Sequence, residues 1–202
     1  MSAQGTPAQV YCMNILGHTF EDYMEMVKRF HGSPAPGVLI GGFMVDLAVR
    51  NLPEGILYDA ICETRSCLPD AIQLLTPCTA GNAWLKVINL GRYALTLYDK
   101  DKESGHKGVR VFLDTEKVRA WPEINAWFFK LNPSKEQGRV ELLRQIKEAG
   151  EAILGLQRVS VKPQFTVKQH KGRISVCPEC REAYPADDGE TCLSCQGNAL
   201  YL

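Results

Sequence analysis

Two C-x-x-C pairs, CPEC at 177–180 and CLSC at 192–195, hold the residues with the most specific chemistry in this sequence. Each pair can place two sulfurs on one cation from a tight turn, and two pairs complete a tetrahedral four-sulfur shell. Eleven residues, Arg181 to Thr191, separate the pairs, and only Ala183, Tyr184 and Ala186 among them are even mildly apolar. A segment this polar needs an ion to hold it. Cys177, Cys180, Cys192 and Cys195 are therefore assigned to a structural zinc. Iron in a rubredoxin-like site is the second choice, because four sulfurs do not by themselves separate the two metals. Four thiolates leave no open position, so this site is structural and not catalytic.

Between Cys177 and Cys195 lie five acids, Glu179, Glu182, Asp187, Asp188 and Glu190, against one base, Arg181. A phosphate binder shows the opposite sign, so nucleic acid is an unexpected partner. The basic run Lys168 to Arg173 lies just outside the finger. Folding and partner docking are the expected roles of this end of the chain.

The other four of the eight cysteines, Cys12, Cys62, Cys67 and Cys78, lie apart. Cys67 precedes a helix start, where the helix dipole stabilises a thiolate. Cys78 precedes Thr79-Ala80-Gly81, a turn signal. Both are candidate ligands or nucleophiles, although unpaired cysteines are more often core filler. His31 sits at the end of a helical pattern, followed by the loop SPAPG. His106 and His170 lie in polar, turn-like stretches and receive no function. Trp84, Trp121 and Trp127 are expected in the core.

These residues need a scaffold. The chain has 202 residues, 45% of them hydrophobic and 23% charged, and its formal net charge is zero. That suits one globular domain with a small annex and gives no overall pull toward nucleic acid or anionic lipid. No basic stretch followed by an apolar run opens the sequence. The longest apolar block, GVLIGGFMVDLAV, is too short to span a bilayer. The expectation is a cytoplasmic protein with no membrane partner, whose thiols stay reduced.

Residues 19–31 predict an amphipathic helix. Thr19 and Asp22 make an approximate capping box, acids open it, bases close it and Gly32 stops it. A mostly apolar helix is predicted from about 38 to 51, and a short helix from LPDAIQLLT. ILYDAICET, AWLKVINL, RYALTLYD and KGVRVFLD read as strands. Residues 115–129 and 133–156 read as helices, the second opened by Asn132 and Pro133, with a hairpin expected around Lys171-Gly172. Strands and helices do not alternate strictly. The fold class is therefore α+β, a largely antiparallel sheet packed with helices. The expected domains are a core, residues 1–160, and a four-cysteine zinc finger, residues 161–202.

FHGSPAPG, followed by CLPDAIQLLTPCTAGNAWLKVINLGRYALTLYD, resembles the FmdE family, named after the E component of formylmethanofuran dehydrogenase. His31, Pro36, Gly37, Cys67, Asp70, Ala71, Ile72, Gln73, Cys78 and Thr79 match the family pattern. Ser33 and Ala35 stand where the family has histidine and cysteine. The resemblance implies an α+β core, a C-terminal treble clef zinc finger and a link to one-carbon metabolism with molybdenum or tungsten enzymes. It also places His31, Cys67 and Cys78 together, as a Cys2His site for a second transition metal with a fourth position for water, substrate or His18, and His18, an extra imidazole just before the helix, is the expected fourth ligand. The alternative is a degenerate site in which His31 only caps its helix. Three functions follow: an FmdE-type metal-binding accessory protein, an enzyme using a core metal or the Cys67 thiolate, and a non-catalytic zinc-finger adaptor. No molybdopterin domain pattern or ferredoxin cysteine run is present, so formyl oxidation belongs to a partner enzyme. A homodimer is expected, argued from the family resemblance, the apolar GVLIGGFMV helix and zero net charge.

Overall fold

A computed structural model describes residues 14–131, 139–167 and 172–201. Cys12, the Asn132-Pro133 helix start, His170 and most of the Lys168 to Arg173 run lie outside these residues. The chain divides into two units between Phe165 and Thr166. The division falls a few residues after 160 because the 3₁₀ turn Pro163–Phe165 still belongs to the core, where Lys86 Nζ donates to the Phe165 carbonyl at 2.7 Å.

In the first unit, α1 (Phe20–His31) begins as its sequence predicts. Thr19 Oγ1 accepts from the Asp22 N–H and donates to Asp22 Oδ2 at 2.7 Å. Gly32, at φ 87°, closes the helix with its N–H on the Lys28 carbonyl. The apolar helix α2 (Pro36–Arg50) is buried along most of its length. Its one acid, Asp46, accepts from the Leu16 N–H and from Arg50 Nε. The helix cited for self-association therefore spends its apolar surface inside one chain.

Strand β1 (Tyr58–Cys62) leads to α3 (Leu68–Leu75), then β2 (Leu85–Val87), β3 (Ala94–Asp99) and β4 (Lys107–Leu113). The predicted helix at 115–129 is two short ones, α4 (Thr115–Val118) and α5 (Pro122–Phe128). Pro122 divides them, since a helix interior has no place for its ring. The predicted helix at 133–156 also stops early. Its described part, α6 (Arg139–Ala149), gives way at Gly150 to a 3₁₀ turn and then to strand β5 (Leu154–Ser160). Apolar spacing from Leu142 to Leu156 suits a helix, but LGLQRVS also alternates, and tertiary pairing with β4 decides for the strand.

The sheet order is β2-β1-β3-β4-β5. Only β1 and β2 run parallel; the other three pairings are antiparallel, as the α+β reading requires. Ala60, Cys62, Leu95, Leu97, Val109 and Val111 belong to the core that the sheet shares with α1, α2, α3 and α6. Strand alternation turns Asp59, Ile61, Glu63, Thr96, Tyr98 and Arg110 to the other face. There Glu63, 5% exposed, pairs with Arg110 at 2.6 and 3.0 Å and with Arg92 at 2.7 Å.

The α2 glycines set the helix packing. A Cβ on Gly41 would lie 2.6 Å from the Ala71 Cβ, and one on Gly37 would lie 2.8 Å from the Cys67 Cβ and from the Tyr93 hydroxyl. Bare backbone at these places lets α3 approach α2 closely.

The second unit contains a small antiparallel pair, β6 (Ile174–Val176) and β7 (Ala183–Pro185). Among its described residues only Cys177 and Tyr184 are buried. The hairpin expected around Lys171-Gly172 falls partly outside the described residues. The turn that joins β6 to β7 is the CPEC knuckle itself. No helix among the described residues is long and apolar enough to cross a membrane.

Candidate metal centre

The four tail cysteines converge. Cys177 Sγ and Cys195 Sγ are 3.9 Å apart, Cys180 Sγ and Cys192 Sγ are 3.7 Å apart, and all four sulfurs lie within 4.8 Å of one another. Zinc–sulfur bonds of about 2.3 Å at tetrahedral angles need sulfur–sulfur edges of roughly 3.8 Å. The donor set and its size therefore fit a four-sulfur zinc site.

Two backbone knuckles aim these sulfurs. After β6, the Cys177 N–H donates to the Glu182 carbonyl at 2.9 Å and the Arg181 N–H donates to the Cys177 carbonyl at 3.0 Å. In the second knuckle the Gln196 N–H donates to the Cys192 carbonyl and the Asn198 N–H to the Leu193 carbonyl. Gly197, at φ 98°, turns the chain there. Backbone N–H groups of Cys192 and Cys180 hold the Cys177 thiol down, at about 6, while the crowding of thiols around Cys192 holds the Cys195 thiol up. The Tyr184 hydroxyl is shared between the Gly189 and Glu190 carbonyls at 2.9 and 2.8 Å, which ties the intervening loop to the knuckles.

The second predicted ligand set is not assembled. Among the described residues, the tail cysteines form the one group of three or more Cys, His, Asp or Glu whose ligand atoms come within 4.8 Å of one another. His18, His31, Cys67 and Cys78 do not, and helix geometry gives the reason. His18 lies just before α1 and His31 at its far end, so about 18 Å of helix separates them. Cys67 and Cys78 flank the two ends of α3, eight residues or about 12 Å long. His18 closes a tight turn with Ile15. The buried Cys78 thiol faces the Tyr58 carbonyl at 3.6 Å.

His31 does find a partner, but it is a carboxylate. Its Nδ1 lies 2.6 Å from Asp70 Oδ2, and both side chains are partly exposed. Gly32 supplies the backbone cap of α1, and the His31 ring is paired with Asp70. Cys67 stands at φ 54° between the Ser66 carbonyl and the Leu68 N–H, the strained form of the three-residue turn. Burial first, and the Asp70 charge second, push its thiol up. Desolvation and a neighbouring anion thus oppose the thiolate-stabilising helix dipole expected there. The Tyr93 hydroxyl, which donates to the Gly37 carbonyl at 2.6 Å, closes this region. No spacing rule pointed to Tyr93 or to the His31–Asp70 pair. Their partners come from separate segments that only the packing of α1 and α2 on α3 unites.

Residues 30–161 match the family described as "FmdE, Molybdenum formylmethanofuran dehydrogenase operon", and residues 168–202 match "FmdE treble clef zinc finger". The chain belongs to the FmdE family. A solved FmdE relative from Syntrophus aciditrophicus, described as a tungsten formylmethanofuran dehydrogenase FmdE-like protein, is 60% identical. The two align over 96% of this chain and 100% of that one, with a TM-score of 0.86. A second relative, from Archaeoglobus fulgidus, is described as a "Probable S-adenosyl-L-methionine-binding protein". It is 31% identical over 194 residues, 85% of this chain and 51% of its own length. This FmdE chain therefore spans about half the length of that curated relative.

Within the FmdE loop, Ser33 is exposed and Ala35 stands at the N-cap of α2 with no side-chain cap bond. The two positions that depart from the family pattern thus add no ligand beside His31.

The finger carries one local strain. Arg181, directly after Cys180, holds φ 66°, a conformation that costs a side-chain-bearing residue roughly 1 kcal/mol over glycine. Arg181→Gly is expected to tighten the finger. In a chelator competition, zinc loss should require about fivefold more chelator than in the parent chain. An unchanged or lower midpoint would place Arg181 in a role that outweighs its backbone strain.

Proposed function

We propose that this chain is an accessory, FmdE-type metal-binding component of molybdenum- or tungsten-dependent formylmethanofuran dehydrogenase-type one-carbon metabolism. In this reading the finger holds one zinc for structure and docks the partner enzyme, and the core self-associates as a two-fold dimer. The observation that carries it is the four-sulfur cluster in a chain whose core and finger both match FmdE. The printed name of the Syntrophus relative supports the choice of enzyme. Four thiolates give zinc no open position, which favours an adaptor over a metal-water enzyme. The core-metal form of the enzymatic alternative needs Cys67 and Cys78 to meet at one metal, and they flank opposite ends of α3; the form that uses the Cys67 thiolate alone has no such need.

The test mixes the purified, zinc-loaded chain with purified formylmethanofuran dehydrogenase and follows the mass of the eluting species by light scattering. The expected result is a complex at micromolar concentration, one zinc per chain, and a free chain of dimer mass. Loss of the complex in a Cys192→Ser variant that keeps its core folded would assign docking to the finger. No complex at any ratio would remove the one-carbon reading, and a free species of monomer mass would remove the dimer.

A further inference from the structure

A cavity of about 540 Å³ lies in the core unit at the C-terminal end of α2. That is within the range that accommodates a small organic molecule. It is about 20 Å, the length of α2, from the His31–Asp70 end of the core. Leu52 and Ile56, in the connection from α2 to β1, line one side. Val109 and Val159, on the adjacent strands β4 and β5, line another. Val109 is buried and, paired with Arg158, projects from the same sheet face as Arg158 and Lys107; with the half-buried Leu52 and Ile56 it makes the interior of the cavity apolar.

Its opening is charged. Lys107 and Arg158, both exposed, line it together with Asp99. The Arg158 guanidinium donates to the Asn51 backbone carbonyl and reaches Asn51 Oδ1 at 3.3 Å. Both acceptors are neutral, so they orient the guanidinium without cancelling its charge, and further N–H groups stay free for a ligand. Lys107 has no carboxylate partner among the described residues. Asp99 is already engaged, since its Oδ1 accepts from the Asp101 N–H at 2.9 Å. Two cations stand over an apolar interior against one acid, whose bond to a neutral N–H leaves its charge in place, so the mouth carries a net charge of about +1.

We propose that this cavity binds a small organic carboxylate with an apolar body. The body enters between Ile56 and Val109, and the carboxylate pairs with Arg158 and Lys107. A planar guanidinium held by its neighbours suits a carboxylate, because parallel N–H donors match the two oxygens. The proposal is independent of the zinc finger and of the one-carbon reading, and it stands or falls separately.

The probe is 2-naphthoate, with its neutral counterpart 2-naphthamide as the control, titrated into the full, zinc-loaded chain and followed by amide NMR. The expected result is saturable shifts at Gly108, Val109 and Val159 with naphthoate, and binding at least about tenfold weaker with the amide. Lys107→Gln and Arg158→Gln should each weaken naphthoate about tenfold while the melting temperature stays put. Because Arg158 also holds Asn51, Lys107→Gln provides the reading if the arginine variant is less stable. Equal binding of acid and amide, shifts elsewhere on the protein, or no saturable binding would each overturn the proposal, as would full affinity in Lys107→Gln.

Discussion

Stripped of zinc by a strong chelator, or carrying Cys192→Ser, the chain is expected to lose the fold of residues 172–201 while the core melts as before. The finger has almost nothing else to hold it. Two short strands of three residues each, and two buried side chains among the described residues, cannot offset the conformational entropy of ordering the whole segment. Structural zinc supplies folding free energy of roughly 10 to 16 kcal/mol in finger-sized peptides, and here it is the largest stabilising contribution. The core has its own closed sheet-and-helix interior and shares none of these ligands. Limited proteolysis and amide NMR check the outcome: cleavage sites should open within 172–201 and core resonances should remain. A metal-free chain with a protease-resistant finger would show that sulfur packing alone holds the tail. Core resonances that collapse with the finger would show that the two units do not fold separately.

The second large effect belongs to the sheet. Arg110→Met should cost the core about 3 kcal/mol, because it leaves the Glu63 carboxylate buried with only the exposed Arg92 beside it. For a unit of this size that is a fall in melting temperature of roughly 6 to 12 °C. The double variant Glu63→Met, Arg110→Met should recover most of the loss, since no charge is then left without a partner. If instead the single loss comes from packing of Arg110 over the Phe112 ring, the double variant will be no better than the single. The pair also predicts an acid limit. Burial raises the Glu63 carboxyl, but hydrogen bonds and charge from Arg110 and Arg92 outweigh it and hold the group below its ordinary value of 4.5. A carboxyl lowered in the folded state stabilises fully above that ordinary value, and the contribution fades as pH falls below it. Melting temperatures measured on the acid side should therefore fall more steeply in the parent chain than in the double variant.

Sequence alone settled those features whose deciding interactions are local. Thr19, Asp22 and Gly32 set the ends of α1 because capping involves groups only three or four residues apart. The finger was legible for the same reason. C-x-x-C geometry is confined to four residues, and an intervening segment with so little to bury leaves few ways to fold except around an ion. The parallel pairing of β1 with β2 and the strand character of Leu154–Ser160 depended instead on which partner lay alongside. An apolar spacing of three and four residues does not exclude an alternating strand, and only β4 decided for β5. The core site shows the limit most directly. His18, His31, Cys67 and Cys78 are chemically suited to one metal, and that was visible in their types. Whether they meet depends on helix lengths and on how α1, α2 and α3 pack. The tertiary structure put α1 between the two histidines and α3 between the two cysteines. It turned His31 to Asp70, buried Cys78 against β1, and brought Lys107, Arg158 and Ile56 from three distant segments to the mouth and wall of one cavity.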